Sequence, residues 1–131
     1  MTTRETKIFA AEIRKTVLYG LNTVKAGHIG GCMSMADLLA VLYDGVMNID
    51  PKEPHLKTRD RLVVSKGHCG PAVYAALALK GYFPMEWMKT INLSQTRLPS
   101  HCDMNMVPGI DMTTGSLGQG MSTALGLAWG L

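Results

Sequence analysis

The chain has 131 residues, 47% of them hydrophobic, and a formal net charge of +3. That length suits one domain with a real core, and this balance of hydrophobicity and charge excludes an intrinsically disordered class. The cations are scattered, with no basic block and no interleaved stacking aromatics, so a nucleic-acid partner is not expected.

From Thr3 to Lys25, the apolar residues Phe9, Ile13, Val17, Leu21 and Val24 recur at three- and four-residue steps, which predicts an amphipathic helix. Its stop is expected at Ala26–Gly31, where glycine can take the left-handed turn. Ser34, with Asp37 three residues on, reads as the N-cap of a second helix through Leu38, Leu39, Leu42 and Tyr43, ending near Gly45. A loop follows over 48–60. Arg61 to Ser65 reads as a short buried strand, stopped at Lys66-Gly67-His68. Pro71 suits a first helical turn, and Ala72–Lys80 should be helix closed by Gly81. A short helix over Pro84–Thr90, a long loop over 93–115 and a last helix after Gly120 complete the order. That last helix is apolar on most sides, as for a helix buried in a larger body, and runs to Leu131 without a stop signal; the chain is expected to be cut short there. Trp87 and Trp129 read as core filler.

No run approaches the roughly 20 apolar residues of a membrane helix, and the polar start is not a secretory signal. Cys32, Cys69 and Cys102 are odd in number and dispersed, so a reducing cytoplasm is expected rather than a disulfide framework.

Three of the four histidines sit in turns flanked by glycine or proline: Gly27-His28-Ile29-Gly30-Gly31, Gly67-His68-Cys69-Gly70 and Pro99-Ser100-His101-Cys102. Any one alone is more often a surface or satisfied core residue. Three in sharp turns shift the balance, because small neighbours admit a ligand to the backbone and imidazole titrates near neutrality. His68, directly after the predicted strand, is where ligands of open α/β sheets sit. His55 lies in a charged loop and carries no functional signal. The turn Gly115–Gly120 opens a helix and could receive an anion, or merely permit close packing. Each cysteine lies near one of the three histidines, so zinc must be weighed, but the adjacent pairs His68-Cys69 and His101-Cys102 lack the usual two- to four-residue ligand spacing.

Taken in order, these turns resemble the amino-terminal region of transketolases. Ala26–Asp37 is similar to the family's Ser-Gly-His-Pro-Gly segment and following helix, and Arg59–His68 to its Asp-Arg-Phe-Val-Leu-Ser-Asn-Gly-His strand and turn. Leu98-Pro99-Ser100-His101 parallels a Pro-Gly-His loop, and Thr113-Thr114-Gly115-Ser116-Leu117-Gly118-Gln119-Gly120 resembles Thr-Thr-Gly-Pro-Leu-Gly-Gln-Gly. The resemblance implies thiamine diphosphate as cofactor and transfer of a two-carbon ketol unit from a ketose phosphate to an aldose phosphate. It implies that His68 holds the diphosphate and that the Gly115, Ser116 and Leu117 backbone contacts the aminopyrimidine. His28 and His101 would act as catalytic and substrate-binding residues on the sugar hydroxyls. This replaces the phosphate cradle that the glycine turn alone suggested.

Ile29 and Ser116 stand where the family often has proline, and Ser100 where it has glycine; Ser116 is similar to two-subunit bacterial forms. No metal ligand is assigned in this chain: the family's magnesium residues would lie beyond Leu131. The resemblance therefore implies an α/β fold that is helix-rich, with the first strand or two of a mostly parallel sheet. Residues 1–131 would be the amino-terminal part of a thiamine diphosphate-binding domain, without independent activity. Its implied partners are sugar phosphates and a carboxy-terminal subunit or the remainder of the chain, in a homodimer or heterotetramer. A deoxyxylulose phosphate synthase, a dihydroxyacetone synthase and a non-catalytic His/Cys metal module are the alternatives.

Overall fold

A computed structural model describes residues 2–130. Helix α1 spans Thr3–Val24 and is opened by a reciprocal capping box: Glu5 N donates to Thr2 Oγ1, and Thr2 N donates to Glu5 Oε2 at 2.7 Å. Ile13, Val17 and Leu21 of the predicted face are buried, together with Ala10, Thr16 and Gly20. The helix stop differs from expectation. Lys25, ahead of Gly27, takes the left-handed position itself, with φ 55°.

The segment after it divides in two. Helix α2 spans Ile29–Met33, and helix α3 spans Ala36–Val41, running on into a π-helical turn over Leu42–Val46. Ser34 is not the N-cap of α3. It ends α2, its hydroxyl turned back to the Gly31 carbonyl at 2.9 Å, while Asp37 pairs with Arg14 across on α1. By length and composition alone, Ile29–Val46 is apolar enough to cross a membrane, a stretch the sequence pattern did not mark. The break at Ser34–Met35 divides it, so it is not one straight helix.

Helix α4 spans Gly70–Lys80 and occupies the centre, with every residue from Gly70 to Ala78 buried. Its small side chains let α1, α3 and the 3₁₀ segment Met85–Thr90 pack around it. Pro71 stands in its first turn. At its end Gly81, φ 89°, closes a Schellman motif in which Gly81 N donates to Ala78 O and Tyr82 N to Leu77 O, both at 3.0 Å.

No strand forms among the described residues, so the predicted sheet is not seen. A strand is defined by ladder partners, and the 61–65 segment bonds elsewhere. Leu62 N donates to Asp111 Oδ2 at 2.8 Å, Val64 O accepts from Thr114 Oγ1 at 2.6 Å, and Ser65 O accepts from Gly118 N at 3.1 Å. Helix α5, Gln119–Gly130, was expected to be buried only in a larger body and to expose apolar residues in this chain. It has only Gly120 buried, and Met121, Leu125 and Trp129 are exposed, so Trp129 is not core filler here.

The contrast between α4 and α5 predicts opposite responses to the same truncation. In the 131-residue chain, Leu77→Ala, at a fully buried site, should cost about 2–5 kcal/mol in denaturant unfolding. Leu125→Ala, on the exposed face of α5, should stay within about 0.5 kcal/mol. A large loss at Leu125 would mean that α5 is packed in solution.

Candidate functional site

The loops ahead of α4 and α5 and the start of α2 converge. His28 is the N-cap of α2, with no side-chain cap bond; His68 lies in the 3₁₀ turn Gly67–Cys69 that feeds α4; His101 lies in the 93–118 loop. The His28 ring centroid is 5.2 Å from that of His68 and 5.8 Å from that of His101, both in tilted or edge-on arrangements. Residues far apart in sequence thus form one imidazole cluster. His55 is exposed and lines a different cavity, of about 170 Å³, beside Arg59 and Pro108.

Backbone contacts set this convergence. Gly67 O accepts from Cys102 N at 3.3 Å, and Cys102 O accepts from Thr114 N at 3.2 Å. A methyl group on Gly67 would lie 2.0 Å from Thr114 O, so no other residue fits there without moving the 114–115 loop. Tyr74, fully buried in α4, donates its hydroxyl to His101 O at 2.7 Å. Ser100 Oγ sits 3.0 Å from His101 Nδ1.

Behind the loops lies a buried charge cluster. The Asp111 carboxylate is paired with Arg59 and lies 3.5 Å from Arg61 Nη1, and it also receives Leu62 N. This ties 59–62 to the loop that leads into Gly115. Sequence reasoning missed it, as it missed Lys66, whose ammonium bonds the end of α2. The run Arg59-Asp60-Arg61 was the available signal, but its partner is remote in sequence.

The electrostatics favour an anionic or polyhydroxylated ligand. No carboxylate is bonded to any of the three imidazoles among the described contacts, and Lys66 adds a cation beside His68. The His68 imidazole is held below the ordinary histidine value, first by desolvation, then by the fields of His28, Lys66 and His101. Neutral imidazole offers one donor and one acceptor. A cavity of about 400 Å³ is lined by Thr113, Thr114, Gly115, Ser116, Gln119 and Thr123, with none of the three histidines in its lining. Leu117 is not part of that lining, and its side chain is exposed.

Among the described residues, no group of three or more His, Cys, Asp or Glu is arranged to hold a metal ion. All three thiols are free and buried, and burial pushes Cys32 up to about 11 and Cys102 up to about 12, so the uncomplexed thiols stay protonated near neutrality.

The transketolase thiamine diphosphate binding domain model matches residues 5–130. A 6-deoxy-6-sulfo-D-fructose transketolase subunit of Clostridium sp. (strain MSTE9) is 59% identical over 116 residues, covering 88% of this chain and 42% of that protein. An apulose-4-phosphate transketolase subunit from Actinobacillus succinogenes is 39% identical over 115 residues, again covering 88% and 42%. Among solved structures, a transketolase from Leishmania mexicana superposes with a TM-score of 0.90 at 37% identity, over 94% of this chain and 18% of that one. This chain therefore spans less than half the length of each of these relatives. On its sequence and on its fold, the chain belongs to the transketolase family, in the thiamine diphosphate-binding domain.

Proposed function

We propose that this chain supplies the amino-terminal share of a transketolase active site, which moves a two-carbon ketol unit from a ketose phosphate to an aldose phosphate. The observation that carries the reading is the convergence of His28, His68 and His101 at 5.2 and 5.8 Å in a chain of this family.

The residues present fit thiamine diphosphate. A diphosphate needs donors and a positive field, which His68 and the neighbouring Lys66 offer. The hydroxyl-rich cavity lined by Gly115 and Ser116 suits a polar heterocycle, and the buried Ser65 hydroxyl, close to Gly120 of α5, has no hydrogen-bond partner. His68 would hold the diphosphate, and the backbone of Gly115, Ser116 and Leu117 would border the aminopyrimidine. When bound, the cofactor supplies the nucleophilic carbon that carries the two-carbon fragment. His28 and His101 would bind the sugar hydroxyls and move their protons. The reading assigns magnesium to residues outside this chain.

The remaining protein parts belong to the same proposal: a carboxy-terminal subunit or chain segment, assembly as a homodimer or heterotetramer, and a cytoplasmic setting. In such an assembly, the 61–65 segment would gain the strand partners it lacks here. A second reading concerns the donor. The 59% identity to the sulfofructose transketolase subunit favours a ketose with a 6-sulfonate in place of a 6-phosphate. Both are terminal anions, and a coupled assay with each donor separates them by relative kcat/KM.

Kinetics on the assembled enzyme should split the histidines. His68→Ala should mainly weaken cofactor binding, whereas His28→Ala and His101→Ala should depress turnover about a hundred- to ten-thousand-fold. Full turnover of His101→Ala at saturating substrate contradicts its role, and turnover by the 131-residue chain alone contradicts the need for a partner.

The pH dependence has a fixed sign. His68 is lowered in the folded chain, so between that value and about 6.5, the unfolded histidine value, the unfolded state binds more protons. Its contribution to stability is present above about 6.5 and is lost as pH falls through the lowered value. Imidazole NMR should place the His68 midpoint below about 6.5, and His28→Gln should move it upward. A midpoint at or above the ordinary value contradicts the clustered environment.

A further inference from the structure

Helix α2 positions His28, yet it has five residues and no side-chain cap. A helix that short is not stable on its own hydrogen bonds, so its place beside His68 has to be set from outside. The contacts converge on one carbonyl. Lys66 Nζ donates to Gly31 O at 3.3 Å and to Ser34 Oγ at 2.9 Å, while Ser34 Oγ donates to Gly31 O at 2.9 Å. Cys69 Sγ lies 3.1 Å from the same oxygen. The Gly31 Cα faces the His68 ring so closely that a methyl group there would lie 2.9 Å from Cδ2. A cation at the carbonyl end of a helix is also electrostatically favourable. Lys66 immediately precedes the Gly67–Cys69 turn, so the tether starts from the segment that carries His68.

We propose that Lys66 is a positioning residue: its ammonium clips the carbonyl end of α2 to the His68 turn and so fixes the separation of His28 and His68. It acts through α2 and does not touch the reacting atoms. Lys66 is half-buried, and two of its three donor hydrogens are directed to Gly31 and Ser34. Its charge also depresses His68, so the tether and the tuning of that imidazole share one group.

The experiment uses the full chain with its partner subunit, comparing wild type, Lys66→Met, Lys66→Arg and Ser34→Ala. Hydrogen exchange is followed at the Cys32 and Ser34 amides, which bond His28 O and Gly30 O at 3.2 Å. Loss of a hydrogen bond to a charged group should speed their exchange about tenfold or more in Lys66→Met, leaving the amides of α4 unchanged. Ser34→Ala, which leaves the charge in place, should act in the same direction, and the double variant should be no worse than Lys66→Met alone. Lys66→Arg should restore part of the protection. The kinetic arm rests on the transketolase reading: at saturating cofactor, kcat should fall in Lys66→Met and recover in part in Lys66→Arg. Wild-type exchange of α2 in both Lys66→Met and Ser34→Ala overturns the proposal. So does loss of cofactor affinity with α2 unchanged, which would make Lys66 a direct ligand contact. If wild type itself turns over no ketose, the transketolase reading fails, while the exchange measurement still decides the tether.

Discussion

Gly67 has its Cα so close to the Thr114 carbonyl that a methyl group there would lie 2.0 Å from the oxygen. Around that approach three chain segments meet, because Gly67 O also receives Cys102 N, and Cys102 O receives Thr114 N. One segment continues into His68, one has just passed His101, and one leads into Gly115. The imidazole cluster therefore follows from backbone packing more than from attraction among histidines, whose mutual fields work against protonation of His68. Contacts between backbones have little freedom to relax, and catalytic groups need such rigid placement.

The helices supply what those loops cannot. Helix α4 is buried along nearly its whole length, so the turn entering it is fixed at its base, and its Tyr74 reaches back to hold the His101 carbonyl. The Asp111 carboxylate, paired with Arg59, anchors the far side. A buried pair of this kind adds little net stability compared with an apolar substitute, but removing one partner is costly, because the other is left charged and buried. It therefore acts more as a specifier of loop register than as a source of folding energy. Helix α2 is the exception in this scaffold, too short to be rigid and tied through Lys66.

Much of this was legible in the sequence where the signal is local. The 3.6-residue period of Ile13, Val17 and Leu21 marked the buried face of α1, Pro71 and Gly81 bracketed α4, and the three histidine turns marked the cluster. The resemblance of those turns to transketolases gave the family. Other features depend on partners remote in the chain. A strand is a pairing, so the Arg61–Ser65 pattern was not enough to make one. The Ser34 hydroxyl can cap forward or bond backward, and the same residues read either way; Lys66, 32 positions on, decides it. Asp111 and Arg59 are separated by 52 positions, and no periodicity joins them. The last helix was read as apolar and fit for burial in a larger body, and its Met121 and Leu125 are exposed here; Trp129, read as core filler, is exposed with them.

Under the proposed function, the backbone junction at Gly67 preforms the cofactor site. Its most direct test is calorimetric titration of thiamine diphosphate, with magnesium, into the assembled protein carrying Gly67→Ala, alongside Gly81→Ala as a control at a left-handed turn remote from the junction. Gly67→Ala should keep its helical circular dichroism but lose cofactor binding, because the 114–115 loop must move away from His68. Gly81→Ala should lose stability while retaining affinity. Wild-type affinity in a folded Gly67→Ala protein would mean that the junction does not shape the cofactor site.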